Sequence, residues 1–320
     1  MKKLLNISVI LSFILLFPSC EKVVIGDDGN GDGNVALNFS ATNADPTPNP
    51  SPQRGGEYGG VDPLSWGGSF DSGSGQGTRA TVSIGDYFEK LNVMLFDSQG
   101  EKVFDKVKTQ LRDDDGFGSL QVALSPGTYT VVAVGHSSIK SATIKSPEMV
   151  QFTASDGEKL TDTFCYCGQV TIGSEPEQFN LTMKRVAAMF RVILTDEDIP
   201  DNVATMRFDY TGGSANFNPT TSEGTTKSTQ SETRDYGGLT YCCFTFPYMA
   251  ASCQLKMTLS ALDASGTTIH KRTWEGVTVT RNRITTYTGH FFQPGDGQFT
   301  QSGFGFTVDA DWDGEQTVDF

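Results

Sequence analysis

Leu124-Ser125-Pro126-Gly127-Thr128-Tyr129-Thr130-Val131-Val132-Ala133-Val134 is the run of residues from which the fold can be read. From Thr128 onward it is dominated by β-branched and aromatic side chains, whose restricted χ1 angles favour a pleated strand over a helix. Upstream, Leu120-Gln121-Val122-Ala123-Leu124 places its largest apolar side chains at every second position, the period of a half-buried strand. Between the two lies Ser125-Pro126-Gly127, which is turn chemistry. The expectation is a β-hairpin closed around that tripeptide.

The same pattern extends in both directions. Leu91-Asn92-Val93-Met94-Leu95-Phe96 reads as a strand that ends in Asp97-Ser98-Gln99-Gly100, a type I turn with Asp first and Gly last, and residues 101–108 return as its partner. Further strands are expected at 163–172 and 178–183, with one short helical turn within 154–162. Beyond Val186, Ala187-Ala188-Met189-Phe190-Arg191-Val192-Ile193-Leu194 is apolar enough to lie between two other strands. Strands at 203–210, 239–246 and 254–262 follow. The last ends in Asp263-Ala264-Ser265-Gly266 and returns through 267–274, an echo of the Asp97 turn. Residues 220–235, rich in Ser and Thr, read as an exposed loop. No apolar period of 3.6 persists for three turns, so the chain is all-β, with two tandem Greek-key β-sandwich domains at 79–184 and 185–320.

Ahead of the sandwiches, residues 20–78 are rich in Gly, Pro, Asn, Asp and Ser and poor in apolar side chains. They read as a disordered tether, with Pro46-Thr47-Pro48-Asn49-Pro50-Ser51-Pro52 stiff and Ser72-Gly73-Ser74-Gly75-Gln76-Gly77 flexible. Val35-Ala36-Leu37-Asn38-Phe39 inside this segment has the makings of a strand that docks on the body. Residues 1–19 form a secretory signal: Lys2 and Lys3, a mostly apolar run over 4–17, then Pro18-Ser19 before Cys20. As a helix that run would span only about 21 Å, short of the roughly 30 Å hydrocarbon core. The arrangement around Cys20 is that of a lipobox, which makes Cys20 the acylated first residue of the mature protein. Cleavage there without acylation is the other reading.

Composition excludes several classes. Without Lys2 and Lys3 the chain holds 22 basic and 38 acidic residues, so no basic face exists to displace counterions from nucleic acid. The same charge opposes lying flat on an anionic bilayer. Asp28-Gly29-Asn30-Gly31-Asp32-Gly33 matches the front of a calcium loop, but Phe39 stands where the bidentate Glu belongs. Cys165, Cys167, Cys242, Cys243 and Cys253 lack zinc-ligand spacing and read as small core residues, with one or two disulfides among them left open. His136, His270 and His290 sit in no catalytic motif, and Asp113-Asp114-Asp115 before Gly116 reads as a hairpin tip. No catalytic residue, metal or cofactor is expected. Trp66, Trp274 and Trp312 would serve a sugar-binding face if exposed together, although core packing is the plainer role for Trp274 and edge packing for Trp312.

Several of these segments together resemble a known group. The lipobox, the Leu91–Asp97 strand with its Gly100 turn and the Leu124–Ala133 run resemble the fimbrillin-A-associated anchor family, the FimB-like fimbrial lipoproteins of type V pili. So do Leu181-Thr182-Met183-Lys184-Arg185-Val186-Ala187-Ala188 and Arg281-Asn282-Arg283-Ile284-Thr285-Thr286-Tyr287-Thr288-Gly289. The resemblance implies transthyretin-like sandwiches, an outer-membrane lipoprotein, and an anchoring or accessory role in pilus assembly and adhesion through strand donation with pilin subunits. On that reading the region from Val186 onward would offer the groove for a donated strand. Two other functions share the same architecture: a surface glycan-binding lipoprotein with a host or glycan receptor, and a shaft or tip pilin processed after Arg54 or Arg79.

Overall fold

The computed structural model describes residues 33–42, 84–152, 160–292 and 315–319. Its regular structure is almost entirely strand, with a single 3₁₀ turn at Ile84–Asp86. In the first half the strands are β1 (Gly33–Thr42), β2 (Lys90–Phe96), β3 (Lys108–Leu111), β4 (Ser119–Leu124), β5 (Gly127–His136), β6 (Thr143–Ser146), β7 (Met149–Gln151), β8 (Phe164–Ile172) and β9 (Glu177–Arg185). Seven of them form one sheet in the order β3-β2-β5-β8-β9-β1-β4. Strands β8 and β9 meet only through Phe164–Arg185 and Cys165–Lys184. The sheet folds over at that corner into two layers, which close on Leu37, Leu91, Leu95, Val131, Leu181 and Met183.

The segment that announced β-structure does so without the hairpin. Strand β5 pairs with β2 and β8, while β4 pairs with β1 in the opposite layer. The two-residue connection Ser125-Pro126 is the physical reason. A two-residue hairpin needs positive φ at one or both central residues, and the Pro126 ring holds φ near −65°. The chain therefore arches from one layer to the other.

The Asp97 turn forms as read: Gly100 N donates to the Asp97 carbonyl at 3.0 Å, and Asp97 Oδ1 accepts from the N–H groups of Gln99 and Glu101, both at 2.9 Å. Its return strand is interrupted after Lys102 and regains register only at β3. Most of the stretch read as a short helical turn, residues 154–159, lies outside the described residues.

The second half contributes β10 (Ala188–Leu194), β11 (Thr205–Ser214), β12 (Asn216–Asn218), β13 (Glu223–Gly224), β14 (Lys227–Asp235), β15 (Thr240–Thr245), β16 (Ser252–Leu262), β17 (Thr268–Thr280), β18 (Ile284–Gly289) and β19 (Glu315–Asp319). Sheets β15-β10-β18-β19 and β14-β11-β16-β17 face each other across Phe190, Phe208, Tyr210, Met257, Leu259 and Trp274. As expected, β10 lies between two neighbours. The Asp263 turn repeats the Asp97 geometry: Gly266 N reaches the Asp263 carbonyl at 2.9 Å, and Asp263 Oδ1 accepts from Ser265 N and Thr267 N, each at 2.9 Å.

One expectation fails here. Residues 227–235 are not loop but the edge strand β14, antiparallel to β11 with one register shift between Thr211 and Ser214. Its inward side chains are Gln230 and Glu232, so the alternation is real but carried by buried polar groups that an apolar pattern cannot reveal.

A fourth, small sheet, β13-β12-β7-β6, joins the halves, because β7 pairs with β12. Beneath it Val132, Val134, Ile144, Val150, Phe152, Ala187, Phe217 and Phe246 form a core drawn from both. Strands β2 and β5 are thus apolar on both faces, which explains their continuous rather than alternating burial. Arg185 pins the joint. Its Nε donates to both oxygens of Asp162 at 2.9 and 3.0 Å, its Nη1 to Asn282 Oδ1 at 3.2 Å, and its guanidinium lies 4.7 Å from the Phe164 ring centroid.

Candidate functional site

The feature that sets this fold apart from an ordinary sandwich is the seating of β1. It runs parallel to β9, from Val35 opposite Glu177 to Thr42 opposite Lys184, and antiparallel to β4, from Gly33 opposite Leu124 to Asn38 opposite Ser119. A strand so placed has both backbone edges occupied. Val35, Leu37 and Phe39 point into the core and are 1%, 0% and 7% exposed. Burying three such side chains contributes on the order of 6 kcal/mol. The other face is polar: Ser119 Oγ donates to Asn38 Oδ1 at 2.8 Å, and the Ser40 and Thr182 hydroxyls lie 3.3 Å apart. Phe39 N donates to the Gly118 carbonyl at 2.7 Å, which ties the strand to the loop before β4.

Strand β1 is an interior strand supplied from far away in the chain. Residues 43–83 separate it from the next described residue, and they include Arg54 and Arg79, which themselves lie outside the described residues. The docked strand expected over 35–39 is present and longer than its apolar residues suggested. Beyond Val186, the segment that arrives from a distance is β19, and among the described residues it pairs on one side only, parallel to β18. Among the described residues, the first sheet has an interior position filled by a remote segment.

The other candidate residues do not assemble around β1. Cys20, Trp66 and Trp312 lie outside the described residues, as do Asp28 to Asp32 of the calcium-loop match. Trp274 is buried, packed edge-on to Tyr287 at 5.8 Å, and is not available to stack on a sugar. None of the five remaining cysteines is paired in a disulfide among the described residues. Burial pushes Cys165 and Cys243 well above the ordinary thiol range, which keeps them protonated and unreactive. Asp114 Oδ2 accepts from Leu111 N at 2.7 Å, so the Asp113–Asp115 run is the turn it was read as.

Among the histidines, His136 is fully buried, with Nε2 at 2.8 Å from Asn92 Oδ1 and Nδ1 accepting from Ser138 N at 3.1 Å. That pattern fixes the proton on Nε2. Loss of solvation, with Lys90 nearby, pulls its pKa down to about 3. His270 packs against Phe291 with ring centroids 4.9 Å apart, and burial again lowers its pKa. Among the described residues no cluster of three or more His, Cys, Asp or Glu side chains is placed to hold a metal ion. What the arrangement around β1 offers is backbone pairing.

A family profile for the fimbrillin-A associated anchor proteins Mfa1 and Mfa2 matches residues 78–316 of the chain. Among solved structures, the chain is similar to the fimbrial anchor protein Mfa2 from Porphyromonas gingivalis at 13% identity and a TM-score of 0.41, covering 77% of this chain and 83% of that one. It is also similar to a fimbrial assembly protein from Parabacteroides distasonis, at 11% identity, a TM-score of 0.40 and coverage of 81% and 91%. A candidate adhesin from Bacteroides ovatus aligns at 15% identity with a TM-score of 0.44 and coverage of 81% and 88%. No curated protein matches the sequence.

Proposed function

The chain belongs to the fimbrillin-A associated anchor family, and from that premise we propose that it is a lipid-anchored fimbrial subunit which meets pilins by strand donation. Membership carries a fimbrial accessory role at the cell envelope. The finer reading rests on one observation: an interior strand of the first sheet comes from the segment just after Cys20. A sheet that loses such a strand exposes two rows of unpaired backbone groups and an apolar floor, which an extended segment of a neighbour would fill.

The position of β1 separates the anchor from the alternative. Both Arg54 and Arg79 lie after Thr42, so cleavage at either would detach β1 from the body. An anchor acylated at Cys20 and left uncut keeps β1 in place and its first sheet closed. A shaft or tip pilin would lose β1 and open the seat between β9 and β4. We assign the anchor role, with the outer membrane holding Cys20 and the folded part, made of β1 and the chain from about residue 79 onward, built as two sandwiches divided near Arg185. The role is one of binding and assembly, not catalysis.

Mass spectrometry of the amino terminus, compared between cell-bound material and sheared fimbriae, tests this assignment. The expected result is an acylated Cys20 in cell-bound protein, in continuous chain with β1. A mature form starting at Gly55 or Ala80 and lacking β1 would replace the anchor by the processed pilin. Pull-down with a partner pilin's terminal strand should capture the acylated, uncut protein; capture only of protein from which β1 has been removed would favour the processed pilin instead.

A further inference from the structure

The direction in which β1 enters the first sheet distinguishes the two ends of that sandwich. Gly33, where β1 begins, pairs with Leu124 at the end of β4, and Val35 pairs with Glu177 at the start of β9. Gly127, opening β5, pairs with Ile172 at the end of β8, and Phe96, closing β2, pairs with Thr130. Turns 97–101, 125–126 and 173–176 therefore gather at the end where β1 begins. The opposite end carries Thr42 opposite Lys184, the start of β4 opposite Asn38, and Leu111 opposite Lys90. From there the chain passes through Arg185 into the second half, and the 112–118 loop lies on the same side.

Resting on the proposed acylation of Cys20, we infer that seated β1 turns the end bearing Ser98, Ser125 and Ser174 toward the lipid surface and the end bearing Asp113 and Arg185 away from it. Gly33 lies thirteen residues beyond Cys20. Fully extended, that many residues reach at most about 45 Å. Residues 43–83 come after the attachment point once β1 is docked, so they add nothing to this reach, although by composition they look like the body of the tether. The folded part is held by a short leash fixed to one pole.

Surface adhesion does not set this polarity. The lipid-facing end carries Asp97, Glu101, Glu175 and Glu177 against Lys102. Among the described residues, the exposed large apolar side chains, Leu111, Ile139, Leu239 and Met249, belong to other parts of the body. An acidic, apolar-poor end is repelled by anionic headgroups within a Debye length of about 10 Å, well inside the leash. The pole faces the membrane because the chain arrives there, and it stands clear of it.

The experiment uses full-length acylated protein in zwitterionic vesicles that carry an acceptor dye on the headgroup. A donor dye is attached through an unnatural amino acid at exposed Ser98 in one sample and at exposed Asp113 in another. Energy transfer from position 98 should exceed that from position 113. Inserting thirty Gly/Ser residues between Cys20 and Gly33 should abolish the difference while the protein stays on the vesicles. Equal or reversed transfer in the uninserted protein, with binding intact, overturns the polarity and leaves the lipid reading standing. If Cys20→Ser floats with vesicles as well as the parent, the lipid reading itself fails and the polarity with it.

Discussion

At position 232 a carboxylate sits almost wholly out of water between a phenol and a guanidinium. The Tyr210 hydroxyl donates to Glu232 Oε1 at 2.7 Å and Arg234 Nη2 donates to Glu232 Oε2 at 2.8 Å. Burial first, and the neighbouring Glu232 charge second, push the Tyr210 pKa well above its ordinary value, so the phenol stays a donor at every accessible pH. Removing one member strands the other. Arg234→Ala should lower the unfolding free energy by about 3–5 kcal/mol, whereas the paired change Glu232→Leu with Arg234→Leu should cost much less. Urea denaturation of both variants checks this.

His136 gives the complementary pH signal. Its folded pKa lies below its unfolded value of about 6.5, so protonation favours the unfolded chain. Its contribution is complete above that value and declines as pH falls toward about 3. Between pH 7.5 and 5 the protein should lose about 2 kcal/mol through this residue, a loss that His136→Gln should largely abolish in paired urea titrations.

Strands and turns show what a one-dimensional pattern carries. The Asp97 and Asp263 turns were legible to the residue, because Asp in first place and Gly in last specify their own hydrogen bonds. Strands β2, β5, β8, β10 and β16 were legible from β-branched and apolar runs. The pairing of β4 was not, since a strand declares its face but not its neighbour, and only Pro126 argued against the hairpin. Strand β14 hid behind buried Gln230 and Glu232, and β6, β7, β12 and β13 are too short for periodicity to show.

The candidate site was half visible. Alternating Val35, Leu37 and Phe39 marked a docking strand, yet nothing local said that it would be interior. Leu37→Ala should cost about 2–5 kcal/mol, seen as a lower thermal or urea midpoint. At Gly212, φ is +108° and an added Cβ would overlap the Gln254 carbonyl across the β11–β16 pair. Gly212→Ala should therefore destabilise by about 2 kcal/mol or more, measured in the same way.

Taken whole, the two halves of the chain are joined by more than a connecting segment. The small sheet that pairs β7 with β12, the core beneath it and the Arg185 contacts cross the boundary together. Unfolding should therefore be a single transition by fluorescence and calorimetry. Phe217→Ala, at a site fully buried in the shared core, should cost about 3–5 kcal/mol and separate that transition into two steps. A single sharp transition in the variant would show that the shared core does not couple the halves.

The ladder geometry of β1 has a mechanical consequence. A pull arriving at Gly33 from the amino-terminal side, resisted by the rest of the body, acts along the strand axis. The backbone bonds to β9 and β4 lie across that axis, so they bear the load in shear and must fail nearly together rather than unzip one at a time. Under tension β1 is a clamp, and its lifetime is governed by the rate of that concerted rupture instead of by equilibrium stability.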